Sequence, residues 1–141
     1  MMSEESTTPD VAELVRGQWE AVNRRDIDAL MNLCPPDGVY DPSPNGLGVF
    51  EGPVAIRGFI EEWWGAFEEL RYELEEVLDL GNAVVFAVVR QDARPAGSTG
   101  HVRAREAYVY EWVDGMIARV TIYLDIDEAR AAAERLAQER W

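Results

Sequence analysis

Apolar positions first recur at helical spacing: Val11, Leu14, Val15, Trp19 and Val22 form one stripe. The spacing predicts a first helix, with Thr8 as cap and Pro9 at the first helical position. Gln18 falls on the same stripe, where a polar side chain needs a reason, and it is expected to face a pocket. Asp26 predicts the cap of a short second helix carrying Ile27, Leu30, Met31 and Leu33, which Pro35 and Pro36 stop. Val39 and Tyr40 read as a short strand, followed by a loop rich in glycine and proline. Pro53 then opens a third helix whose broad face holds Ile56, Phe59, Ile60, Trp63, Trp64 and Phe67.

From Tyr72 the period changes to two: Tyr72, Leu74, Leu78 and Leu80 alternate with acidic residues. Gly81-Asn82 predicts a turn into Ala83 to Arg90, a strand apolar on both faces, so something must cover its second face. A partner subunit is the economical cover, which predicts a homodimer through the sheet. His101 to Trp112 is a long strand whose even positions read Val102, Ala104, Glu106, Tyr108, Tyr110 and Trp112. Asp114-Gly115 predicts a hairpin returning through Met116 to Leu124, and Asp125 or Asp127 caps a closing helix containing Ala129, Ala132, Ala133 and Leu136. Strands segregated from helices predict an α+β fold: three N-terminal helices on a curved, mostly antiparallel sheet, shaped as a cone or α+β barrel, with a C-terminal helix closing it. Such a sheet leaves a cavity at its open end.

A chain of 141 residues holds one domain, here 9–141, with 1–8 read as a disordered polar tail. Its 27 acidic and 13 basic residues give a net charge of -14, which disfavours nucleic acid and anionic lipid as partners. Every basic residue is arginine, to which no chemistry is assigned. No stretch approaches a membrane span and the start lacks a signal-peptide pattern, so the expected location is cytoplasmic. Cys34, the single cysteine, cannot form an internal disulfide and reads as filler.

Asp41, in GVYDPSPNGLG, is the leading chemical candidate. Its Asp-Pro step is also a common turn signal. Enclosed by Tyr40, Trp63, Trp64 and Phe67, its carboxyl would titrate in the range useful for proton transfer. Glu106 is a second acid on an aromatic face, where two carboxyls entering one cavity would split into acid and base. Its alternative is an ion pair with an arginine such as Arg90. Tyr108, Tyr110 and Gln18 could donate hydrogen bonds to a developing oxyanion, and each tyrosine could equally be packing. Trp19 and Phe86 complete the expected pocket lining. His101 reads as a surface residue, Ser98 and Thr99 lack a triad partner, and Asp125 with Asp127 reads as capping rather than a metal site. No Gly-rich phosphate cradle is visible, and no metal or cofactor is expected.

The order of these elements, with VNRRDIDALMNLC, VYDP, EGPVAIRGFIEEWW, YEWVDGMIARVTIYLD and EARAAA, resembles the nuclear transport factor 2-like superfamily, in its SnoaL-like and ketosteroid isomerase-like branch. The resemblance implies a general base at Asp41, the position of the isomerase's V-x-D-P aspartate. It also puts Gln18 at the helix-one oxyanion donor and Tyr108 or Glu106 at the sheet donor. The epoxide-hydrolase pattern of this superfamily needs Arg-x-Asp on one strand, whereas Arg105 and Glu106 are neighbours and point to opposite faces. The implied activity is isomerisation, cyclisation or dehydration of a hydrophobic, carbonyl-bearing, even polycyclic molecule. A ligand-binding protein without turnover and a dimeric interaction module are the alternatives.

Overall fold

The computed structural model describes residues 10–140. Helix α1 spans Val11–Arg24 and α2 spans Ile27–Met31. Strand β1 (Val39–Asp41) leads through a single 3-10 turn at Ser43–Asn45 to β2 (Phe50–Glu51) and α3 (Pro53–Gly65). Four long strands follow, β3 (Phe67–Gly81), β4 (Val84–Pro95), β5 (Val102–Val113) and β6 (Met116–Tyr123), before α4 (Ile126–Glu139). The tail and the Thr8-Pro9 cap lie outside the described residues. Asp10 caps α1 instead, accepting from the Ala12 amide at 3.0 Å. Asp26 and Asp125 cap α2 and α4 by the same physics, a carboxylate satisfying an amide that the helix leaves unpaired.

The sheet runs β2-β1-β6-β5-β4-β3 and is open, with β2 and β3 as its edges. All pairings are antiparallel except β1 with β6, so the α+β expectation holds with a mixed sheet. Both hairpins turn on residues with positive φ, Asp114-Gly115 (54° and 77°) where expected and Asn82-Ala83 (56° and 65°) one residue later than the expected Gly81-Asn82. Paired positive φ matches the right-handed twist of the strands it joins.

Three local corrections arise. Phe67 begins β3 rather than ending α3, because the helix stops at Gly65. The loop after β1 contains the 3-10 turn and β2, neither of which the spacing reveals. On β3 the register shifts between Leu74 and Glu76, and this bulge inverts the alternation. Tyr72 and Leu74 therefore share the inner face with Val77, while Leu78 and Leu80 pack on the opposite side.

Two apolar layers result. The inner layer joins Val15, Trp19 and Val22 of α1 to Val85, Ala87 and Val89 of β4 and to Tyr108, Tyr110 and Trp112 of β5. The outer layer sets Val84, Phe86 and Val88 against Ala129, Ala133 and Ala137 of α4. The alanines recur every fourth residue and let the helix lie close to the strands. The doubly apolar β4 is thus covered by the chain's own closing helix. The covering demand that suggested a second copy is met within one chain. None of the helices among the described residues is long and apolar enough to cross a membrane.

Candidate functional site

A cavity of about 80 Å³ opens between α1, α3 and the inner faces of β4 and β5. It brings together seven of the expected residues: Gln18, Trp19, Tyr40, Trp63, Trp64, Glu106 and Tyr108. Strand parity selects them. On β5, Glu106 and Tyr108 point inward while Arg105 turns outward to bond Glu75 at 2.8 Å. Along α3, aromatic rings build a continuous wall: Phe59 lies 5.4 Å from Tyr40 and 6.2 Å from Trp63 between centroids. Trp19 forms the floor, its ring 4.9 Å from Tyr108 and 5.0 Å from Tyr72.

Asp41 is not part of this lining, which corrects the principal expectation. Tyr40 faces the cavity, so the next residue of the same strand must face away from it. On that far side Asp41 accepts from the Ser43 amide at 3.0 Å and pairs with the Arg119 guanidinium of β6. Burial alone would raise its carboxyl, but the Ser43 hydroxyl and amide and the Arg119 charge together hold it below the usual carboxylate range. It is a turn and ion-pair aspartate with little basicity to offer.

Phe86, Phe67 and Tyr110 also lie outside the lining. Phe86 sits in the outer layer beneath Arg130, whose guanidinium lies 4.7 Å above the ring, because it has the opposite parity to Val85 and Ala87. Phe67 stands behind Trp63 at 5.2 Å. Tyr110 is fully buried behind Gln18 and Trp19.

Glu106 takes the position that Asp41 vacates. Of its two open readings, the structure selects the cavity: Arg90 pairs outward with Glu73, and Glu106 receives one hydrogen bond, from the Tyr108 hydroxyl at 3.2 Å. Burial raises its carboxyl above the ordinary glutamate value, and the Tyr108 bond only partly offsets this. Among the described residues no cation pairs with it.

Hydrogen-bond donors are arranged by relays from behind. Trp19 Nε1 donates to the Tyr110 hydroxyl at 3.0 Å, and that hydroxyl donates to Gln18 Oε1 at 2.7 Å. The amide oxygen is thereby spent on the core side, which turns the Gln18 NH2 toward the cavity. Likewise Trp63 Nε1 donates to the Tyr72 oxygen at 3.2 Å, leaving the Tyr72 O–H to donate onward. Burial raises the phenols of Tyr40, Tyr72, Tyr108 and Tyr110, so all four stay neutral donors at physiological pH.

Of the lining residues not assigned to the pocket from sequence, Tyr72, Gln91 and Asn45 are the polar ones. Gln91 is buried and enters the cavity from β4. Counting by twos from Val85 through Val89 would have found it. Asn45 enters from the loop after β1, held by a bond from the Leu124 amide to its Oδ1 at 2.9 Å, and no periodicity announces such a residue.

The comparisons accord with this fold. A family model described as SnoaL-like domain matches residues 15–120. No curated protein matches the chain significantly. Among solved structures, a protein of Catenulispora acidiphila with a ketosteroid isomerase-like fold, in complex with trimethylamine, superposes with a TM-score of 0.72 at 16% identity, covering 86% of this chain and 92% of that one. An NTF2-like protein of Burkholderia pseudomallei gives 0.71 at 20% identity, with 86% and 95% covered. TerC, co-crystallised with polyporic acid, gives 0.69 at 15% identity, with 87% and 96% covered. The chain belongs to the SnoaL-like domain family, with the NTF2-like, ketosteroid isomerase-like fold.

Proposed function

We propose that the chain binds a small apolar carbonyl compound in this cavity and shifts a proton on it, with Glu106 as the proton carrier. The observation that carries the reading is a carboxyl walled by aromatic rings, with which no cation pairs among the described residues, and raised by burial above the ordinary glutamate value. Members of this fold crystallised with small organic molecules, polyporic acid and trimethylamine, support a ligand role for the cavity.

The ionised Glu106 removes a proton from the carbon beside the carbonyl. The C–H electron pair moves onto the carbonyl oxygen, and the enolate accepts hydrogen bonds from the Gln18 NH2 and the Tyr72 hydroxyl. Glu106 then returns the proton to a different carbon, which isomerises the substrate without changing its oxidation level. Where a hydroxyl sits β to the carbonyl, its departure as water from the same enolate gives dehydration.

Exchange of α-protons of a cyclohexenone in D2O, followed by NMR, tests the step. The wild-type chain accelerates exchange, and Glu106→Gln lowers the rate by about 10²-fold or more. Equal exchange with both proteins eliminates Glu106 as the base. Binding of the enone without any exchange by the wild type would instead identify a carrier.

A further inference from the structure

A second lobe lies against the cavity beside Glu106. This inner lobe, of about 60 Å³, lies between α2, β1 and β6 and shares Gln18, Leu30, Tyr40, Ile60 and Tyr108 with the outer one. These shared side chains form one partition, and a ligand reaches both spaces only where they turn aside. Their chemistry differs. Glu106, Gln91, Tyr72 and Asn45 belong to the outer lobe alone. The inner lobe adds only Cys34 and apolar side chains such as Met31, Leu33, Val39, Ile117 and Val120.

A ligand that fills both lobes must be amphiphilic along its length. A polar edge finds partners beside Glu106, while a hydroxyl or charge in the inner lobe would lose its water without a replacement. Size adds a second restriction. An apolar cavity of about 150 Å³ holds one benzene ring, and the lobes measure about 80 and 60 Å³. A ligand ring therefore rests partly in the open mouth of the outer lobe, and the inner lobe encloses no more than a short tail.

We propose that the site selects a single-ring, hydroxyl- or carbonyl-bearing molecule with a short alkyl tail, its polar edge at Glu106 and its tail in the inner lobe. This rests on the reading of the outer lobe as the ligand site. The residues that line only the inner lobe then determine tail length, and Ile117 and Val120 of β6 form its far wall.

Phenol, 4-ethylphenol, 4-propylphenol and 4-hexylphenol test the assignment, with binding read from quenching of the cavity tryptophans. Affinity is expected to rise about fourfold per methylene as far as propyl and to gain nothing further at hexyl. Cys34 gives a readout that needs no variant: 4-propylphenol slows its alkylation by a maleimide, and phenol does not. Ile117→Phe, which fills the inner lobe, is expected to flatten the series while leaving phenol affinity in place. A flat series on the wild type, with phenol still bound, overturns the tail assignment and leaves the Glu106 cavity standing. Affinity that climbs while Cys34 reacts at its free rate also overturns it, because the tail then leaves through the mouth. Quenching by none of the phenols removes both this inference and the cavity reading on which it rests.

Discussion

The contrast between Asp41 and Glu106 shows how environment assigns roles to two carboxyls of the same chemistry. Asp41 has a guanidinium and an amide, so its ionised form is favoured and its stabilisation is present above the ordinary aspartate value of 3.8. That support is lost as the pH falls through its depressed folded value. Asp41→Ala is expected to cost about 2 to 3 kcal/mol in urea unfolding at pH 7, because it leaves Arg119 and the Ser43 amide without their acceptor. Ligand quenching of the cavity tryptophans should survive the change. For Glu106 the sign reverses. Its folded value is raised, so its contribution is complete below the ordinary glutamate value of 4.5 and is lost as the pH rises through the folded value. Glu106→Gln should therefore melt higher than wild type at pH 8, with the difference closing toward pH 4 in thermal scans. A variant that melts lower at pH 8 would show that the carboxyl is stabilised in its charged form after all.

At the scale of elements, strand parity decides almost everything about which residues meet. The sequence spacing places Glu106, Tyr108 and Trp112 on one face of β5, and they share it in the structure. Gln18 was legible for a similar reason, as the polar member of an apolar helical stripe. Asp41, read from its apolar surroundings and the family resemblance, and Phe86 both fall outside the pocket, because adjacent strand residues face opposite sides. The bulge after Leu74 is a harder case, since nothing in a run of glutamates and leucines marks where an extra residue enters the ladder. Phe86→Ala measures the separation of the two layers. It should destabilise the fold by about 3 to 5 kcal/mol, because α4 loses its largest contact on β4. Phenol affinity of the protein that remains folded should match wild type. A loss of affinity parallel to the loss of stability would mean that the two faces of the sheet are coupled.

For the whole molecule, the excess of 14 negative charges acts on every part of the surface. Exposed ion pairs such as Arg16 with Glu13 and Arg57 with Glu61 use some of the arginines, but they contribute little individually. The acids outnumber the arginines two to one, so self-repulsion outweighs these attractions. Raising salt from 10 to 200 mM shortens the screening distance from about 30 to about 7 Å and should raise the melting temperature at pH 7. A decrease would show that local pairs dominate the field of the molecule.

The open sheet carries one more consequence. Its edge β3 runs for 15 residues, from Phe67 to Gly81, and one side of its backbone is a template onto which another chain could add. What guards it is a row of outward acids, among them Glu68, Glu69, Glu73 and Glu75, interrupted by Arg71. Replacing Glu68, Glu69, Glu73 and Glu75 by glutamine would lift the guard while the core beneath remains intact. The folded variant should then grow into strand-to-strand assemblies, visible as scattering that precedes any loss of tryptophan burial. Lysines at Glu73 and Glu75 would keep the edge charged and prevent that growth.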